Sequence, residues 1–299
     1  MTEDDRIARL AAVLGTKLPG VSVGIGDDAA VLEPDLVWTI DEQVENVHFR
    51  MEMLSLEDLG WRSLMSAASD IAAMGADPWC ALAAMVLPSW IADSDLDAIS
   101  RGQADAARAI GAAIVGGNLS RGTVLSIATT VLGRTPSPIL RSGARVGDRL
   151  WLAGPAGLAS AGLRALERKL DLPDAIAAWR RPIARIEAGR AMRGHANAAI
   201  DVSDGLAIDA SRIASASSVR LILDAAALRV PLGSTAAALG VDPLDLALEG
   251  GEDYALVCTA PESIAGFTLI GAVAGGEGVW LRDGSKLERL EKRGWDHFA

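Results

Sequence analysis

Apolar positions recur at helical spacing over residues 4–14, where Ile7, Leu10 and Leu14 share one side, so the chain is predicted to open with a short amphipathic helix. The pattern then turns strand-like. Residues 21–32 place apolar positions on both sides of Gly24-Ile25-Gly26-Asp27-Asp28, a glycine-rich turn carrying two carboxylates. A second strand is predicted at 36–40, ending on Asp41-Glu42, and Val44, Val47 and Phe49 then set His48 among strand-like residues. Ser55 and Asp58 fit a capping box at the start of a helix with a broad apolar face formed by Leu56, Leu59, Leu64, Ala68 and Ile71. That helix is expected to end near Gly75, with Asp77-Pro78 as its stop. A strand over 81–87 closes at Pro88, and Ser94 with Asp97 reads as the next cap. The helix carrying Leu96, Ile99, Ala106 and Ile110 leads through 112–115 to Gly116-Gly117-Asn118, followed by a strand at 126–132.

Turn formers cluster from Thr135 to Asp148, which divides the chain into units 1–137 and 138–299. The second unit begins with a strand at 148–153. Helices are predicted near 156–168 and 183–194 and after Asp204-Gly205, with strands at 221–223, 254–258, 269–273 and 278–281. Both halves read as α/β, of the α+β type, and no repeat period is present.

Composition narrows the classes. With 50% hydrophobic and 22% charged residues, the 299-residue chain has enough apolar material for real cores. A net charge of −11 argues against a nucleic-acid partner or an anionic membrane surface. Only four residues are lysine (Lys17, Lys169, Lys286, Lys292), so a lysine-centred phosphate site is not expected. Cys80 and Cys258 lie far apart in apolar surroundings and read as reduced thiols. The acidic start, with no apolar signal segment and no membrane-spanning stretch, makes cytoplasmic the expected location.

The chemistry concentrates in carboxylates. Asp27 follows glycines that let a ligand approach backbone, and a carboxylate there faces either a cation or merely a tight turn. Asp70 interrupts Ala67-Ala68-Ser69-Asp70-Ile71-Ala72-Ala73, a tract too small to shield a charge, so it needs a partner, a cation or a cleft. Asp201 and Asp204 are three apart where a strand feeds a helix, with Ser203 as the expected N-cap and free N–H groups beyond it. Such a turn suits a phosphate on the N–H groups and a divalent ion on the carboxylates. Gly250-Gly251-Glu252-Asp253-Tyr254 repeats the glycine-and-acid pattern, and Gly294-Trp295-Asp296-His297-Phe298 puts aromatics at a polar end of the chain. There is no P-loop motif, no zinc-ligand spacing and no esterase elbow. Oxygen-rich Mg²⁺ chemistry on phosphates remains, with Arg141 as a helper.

In this order the motifs resemble those of the thiamine-monophosphate kinases, members of the aminoimidazole-ribonucleotide-synthetase-like ATP-binding superfamily. The resemblance runs from about residue 21 to the end. It rests on Gly24–Ala30, Asp41 with Val44–Phe49, Ser69–Ala76, Gly116-Gly117-Asn118, Arg141–Ala144, Asp201–Leu206, Gly250–Tyr254 and Gly294–Phe298. It implies a two-domain fold whose N-terminal sheets pair in a homodimer and whose C-terminal domain is an α/β sandwich. It further implies transfer of the ATP γ-phosphate to thiamine monophosphate. Asp27, Asp41, Asp70 and Asp201 would be Mg²⁺ ligands, with Asp204 a further one. Thr39, Gly117, Arg141 and Ser203 would contact nucleotide or metal, and His48, Glu252 and Trp295 the substrate. A phosphate monoester is already largely ionised at neutral pH, so no general base is required.

Two positions depart from the family. Asn118 stands where an aspartate is usual, giving up one negative charge at an expected metal position. Ile40 replaces a hydroxyl residue before Asp41. The alternatives are another synthetase of the superfamily, of the aminoimidazole-ribonucleotide or selenophosphate type, and a catalytically weak nucleotide-binding homologue.

Overall fold

The computed structural model describes residues 2–14, 18–290 and 294–295. After α1 (Glu3–Leu14), the first half builds a six-stranded sheet from β1 (Val21–Val23), β2 (Ala30–Leu32), β3 (Leu36–Val44), β4 (Asp77–Leu87), β5 (Ala113–Arg121) and β6 (Ser126–Arg134). Their order in the sheet is β1-β2-β3-β6-β4-β5. Only β4 and β5 run parallel, and α3 (Asp93–Ile110) connects them.

The helix α2 (Leu56–Ala73) opens with the predicted capping box: the Asp58 N–H donates to Ser55 Oγ at 3.1 Å, and the Ser55 N–H to Asp58 Oδ2 at 3.4 Å. The cap of α3 differs from expectation. That helix starts at Asp93, so Ser94 is already inside its first turn, and Asp95 accepts the Ala92 N–H at 2.9 Å. Asp77-Pro78 is not a loop after α2 but the first two residues of β4. The apolar stretch at 112–115 opens a strand, β5, that runs on through Gly116 and Gly117 to Arg121. A Cβ at Gly117 would lie 1.8 Å from the Ala83 carbonyl oxygen, so only glycine lets β5 settle on β4 there.

The second sheet has the order β13-β12-β9-β11-β7-β10-β8. Its strands are β7 (Arg149–Ala153), β8 (Ala198–Val202), β9 (Arg220–Asp224), β10 (Ala255–Ala260), β11 (Thr268–Ala274), β12 (Gly278–Asp283) and β13 (Lys286–Arg289). Around it lie α4 (Leu158–Arg168), α5 (Pro173–Arg180), α6 (Ile186–Met192), α7 (Leu206–Ser217), α8 (Ala225–Leu239) and α9 (Pro243–Glu249). Sequence patterning does not reveal α5, α8, α9 or β13. The case of α8 is instructive: apolar residues surround it and Pro231 interrupts it, so no stripe is left to read.

The two sheets share one helix. Leu64, Ile71 and Met74 of the α2 segment pack with Val37 and Val131 of the first sheet and with Trp151, Leu256 and Cys258 of the second. Thirteen of the 18 residues of α2 are buried, which explains its run of alanines and serines: small side chains let both sheets approach. It also crosses α3 closely, because a Cβ on Gly60 would lie 2.0 Å from the Ile99 carbonyl oxygen. Gly60→Ala is therefore expected to lower stability by about 3 kcal/mol, read as a shift in urea midpoint at unchanged slope. Among the described residues, no helix is long and apolar enough to cross a membrane.

Candidate active site

The inward residues of β3 and one line of α2 form a polar ladder. Along the strand, Thr39, Asp41 and Gln43 alternate with exposed neighbours. Along the helix, Asp70, Ser66 and Arg62 recur every four residues. Two strand residues advance roughly 6.7 Å and four helix residues roughly 6 Å, so the rungs stay matched over three pairs. Thr39 Oγ1 donates to Asp70 Oδ2, Ser66 bonds the Asp41 carboxyl, and Arg62 Nε donates to Gln43 Oε1 at 2.9 Å.

At the Asp70 end the ladder meets two more acids. Carboxyl oxygens of Asp28, Asp70 and Asp201 all lie within 4.8 Å of one another. Burial pushes Asp28 up to about 7, against the opposing pull of Arg141, and burial likewise pushes Asp201 up to about 7. Asp70 is held well above the ordinary carboxylate range, first by burial and then by the charges of Asp201 and Asp28. Arg141 donates from Nη2 at 2.6 Å and Nε at 3.0 Å to Asp28 Oδ1, while Oδ2 is buried without a protein partner. Three crowded acids and an orphaned carboxylate oxygen make a donor set that fits a hard divalent cation.

Of the Asp27-Asp28 pair, the second residue reaches this cluster. The Asp27 carboxylate accepts the backbone N–H groups of Asp28 at 3.0 Å and Arg141 at 3.1 Å. Asp28 is thus a member that sequence reasoning passed over. The motif narrowed the choice to two adjacent residues, and their side chains point different ways.

The turn after β8 departs from expectation. Gly205, with φ 129°, occupies the N-cap position of α7 rather than Ser203. The N–H groups of Ser203, Asp204 and Gly205 are not free for a phosphate, because each donates to Asp209 Oδ2 at 3.1 Å. Arg212 Nη1 in turn bridges Asp204 at 2.8 Å and Asp209 at 2.5 Å.

A cavity of about 620 Å³ opens over these groups, lined by Asp41, Asp70, Asp201, Ser203 and Asp204, by His48 and Ile40, and by Glu252 and Trp295. His48 Nδ1 accepts the Val44 N–H at 3.0 Å, and the Trp295 N–H donates to the Asp204 carbonyl at 2.9 Å. Asp296, His297 and Phe298 lie outside the described residues. Glu252 and Tyr254 both have left-handed backbone, with φ 70° and 48°. The chain there is pinned by N–H bonds from Glu252 to the Ser203 carbonyl at 2.7 Å and from Tyr254 to the Val202 carbonyl at 2.9 Å. Between them Asp253 turns inward and accepts the Gly157 and Ala159 N–H groups at the start of α4.

Gly117 and Asn118 are not among the residues lining this cavity. Gly117 lies in one row with Ala83, Thr129 and Asp41, three strands away from Asp41, or roughly 14 Å. Asn118 is exposed beside it on β5.

Models of the AIR synthase related protein family match residues 26–135 (N-terminal domain) and 145–269 (C-terminal domain). The chain is 37% identical over 308 residues to the thiamine-monophosphate kinase of Rhodopirellula baltica, covering 94% of this chain and 93% of the relative. It is 36% identical to that of Escherichia coli K12, with 93% of each covered. A solved structure of AaThiL complexed with AMPPCP and TMP superimposes with a TM-score of 0.91 at 32% identity, covering 99% of this chain and 97% of that one. The hydrogenase maturation protein HypE, in its complex with HypF, matches at TM-score 0.73 and 17% identity and shows the shared fold alone.

Proposed function

The chain belongs to the thiamine-monophosphate kinase family, and we infer from that membership that it transfers the γ-phosphoryl group of ATP to thiamine monophosphate, forming thiamine diphosphate. The observation that carries this reading is the near-complete superposition on a structure holding a non-hydrolysable ATP analogue and TMP. The cavity is consistent with it: it runs from the acid cluster to Glu252 and Trp295, spanning both halves of the chain.

Asp28, Asp70 and Asp201 would hold Mg²⁺, with Asp41 and Asp204 at the same cavity as further oxygen donors. Bound there, the metal supplies charge neutralisation for the phosphates. Arg141 is the cation already in contact with the cluster and would bind phosphate oxygens. Thr39 orients Asp70, and Asp27 ties the glycine turn to the Arg141 backbone. His48, Glu252 and Trp295 would receive the thiamine end, with the indole offering an aromatic face. The acceptor phosphate needs no base, so positioning and electrostatics do the work. No contact within one chain supports a metal role for Asn118.

Incubation with Mg-ATP and thiamine monophosphate, followed by chromatography, should yield thiamine diphosphate and ADP, and should yield none in excess EDTA. Turnover only with an aminoimidazole precursor or selenide would overturn the reading.

The outer face of the first sheet supports a homodimer. Trp38 and Ile40 on β3, Leu82 on β4 and Val115 on β5 are large apolar residues at 45–68% exposure, an apolar expanse that a second copy of the same sheet would cover. Light scattering should give twice 31.0 kDa. Leu82→Glu, which sets a charge in that face, should give monomer; a wild-type that is monomeric at micromolar concentration would remove the dimer.

A further inference from the structure

Arg62 is the one arginine wholly buried among the described residues. Its three nitrogens go to three different parts of the chain. Nε donates to Gln43 Oε1 on β3, Nη1 to the Trp179 carbonyl on α5, and Nη2 pairs with Glu252 Oε2 in the loop before β10. The guanidinium carbon also lies 4.9 Å from the centre of the Trp179 ring. Of these partners, Glu252 has a side chain that is 27% exposed and faces the cavity.

Glu252 is a residue whose direction needs holding. Its left-handed backbone is uncommon for a side chain of this kind and persists only where the surroundings enforce it. Tyr254 also donates to Oε2, at 3.4 Å. Both neighbours thus take the same carboxylate oxygen, which leaves Oε1 for a ligand. A planar, fully charged fork held by two other acceptors is a rigid support for that arrangement, whereas a flexible ammonium is not.

We propose that Arg62 is a positioning residue for acceptor recognition: it fixes the Glu252 carboxylate so that one oxygen faces the bound thiamine end, and it does so from beneath the cavity floor without touching ligand. The proposal rests on Glu252 contacting the acceptor, as inferred above. It separates Arg62 from Asp70, about two turns further along α2, which belongs with Asp28 and Asp201 in the acid cluster that would serve the phosphates.

Steady-state kinetics on Arg62→Met, Arg62→Lys, Gln43→Leu, Glu252→Gln and the Arg62→Met/Glu252→Gln pair test it. Arg62→Met should raise KM for thiamine monophosphate about tenfold, with KM for ATP unchanged within about twofold. Arg62→Lys, which keeps the charge but not the fork, should recover only a small part of that loss, and Gln43→Leu should raise the same KM about threefold. In the Glu252→Gln background, removal of Arg62 should add no further rise, since the two act as one unit. A folded Arg62→Met with wild-type KM for the acceptor, or with both KM values rising together, overturns the proposal. Should that variant fail to fold by circular dichroism, unchanged acceptor KM in both Arg62→Lys and Gln43→Leu overturns it instead. If Glu252→Gln itself leaves the acceptor KM unaltered, Glu252 is not a substrate residue, and the positioning role falls with it; an effect of Glu252→Gln without one from Arg62 sinks the positioning role alone.

Discussion

Asp70→Asn is expected to lower kcat about 10³-fold while leaving the metal-free protein at least as stable as wild type. The substitution keeps the shape of the side chain and an oxygen for the Thr39 hydroxyl, so the top rung of the ladder survives. What disappears is one negative charge of three that share a buried space with Asp28 and Asp201. Without metal that charge is a burden, because its neighbours repel it and burial strips its water. With metal and nucleotide it would serve as a ligand under the proposed reading, and its loss should raise the Mg²⁺ concentration needed for half-maximal rate. Thiamine diphosphate formation and thermal melts in EDTA measure both halves. Wild-type turnover at the same Mg²⁺ requirement would remove Asp70 from the reaction.

The same crowding predicts an unusual pH dependence of folding. Asp28 and Asp201 rise from 3.8 to about 7 in the folded protein, and Asp70 moves the same way. A carboxyl of this kind binds its proton more tightly folded than unfolded. Its favourable contribution is complete below the unfolded value and is lost as pH climbs from about 4 to about 7. Metal-free protein should therefore melt at progressively lower temperature across that window, the reverse of a salt-bridged aspartate. Saturating Mg²⁺ at pH 8 should restore the midpoint by about 5 °C or more and flatten the slope, because a cation then replaces the proton. Asp209 and Asp253, also raised to about 7 but engaged with backbone N–H groups, would leave a residual slope. A midpoint that rises with pH in EDTA and ignores Mg²⁺ would show that the three acids bind no cation.

Local rules expose what local forces decide. The Ser55–Asp58 capping box and the acid-bearing turns are visible because each is settled within a few residues, whereas β3 runs past its predicted end at Asp41-Glu42 to Val44 because its neighbour β6 pairs with it that far. The choice between Asp27 and Asp28 is not, since it depends on how the 141 segment approaches the turn from 113 residues away. The Ser203 turn misleads for a related reason. Asp209 lies one helical turn beyond it and claims the N–H groups that the motif leaves open. Arg62 escapes notice altogether, because on sequence it is an ordinary charge on an amphipathic helix, and only Trp179 of α5 and the Glu252 loop, brought onto α2 from far along the chain, make it internal. Asn118 is conspicuous in sequence as a departure at a metal position, yet its strand carries it to the far edge of the sheet from Asp41.

The matched repeats of β3 and α2 also constrain which changes in length the chain can accept. Adding one residue between Arg62 and Asp70 would turn one end of the helix by about 100° relative to the other, so the rungs beyond the insertion would lose their partners. Adding one residue between Thr39 and Gln43 would flip the remaining strand positions to the outer face. The segment 45–55 joins the two elements without contributing a rung, so an insertion there leaves the rungs in register and acts instead on His48 and the buried Phe49, Met53 and Leu54. Length variation among chains built this way should collect in that connection and be absent from the two tracts that face each other, leaving a pair of fixed spacings, two-by-two and then four-by-four in reverse order, as a mark that survives when the individual residues have changed.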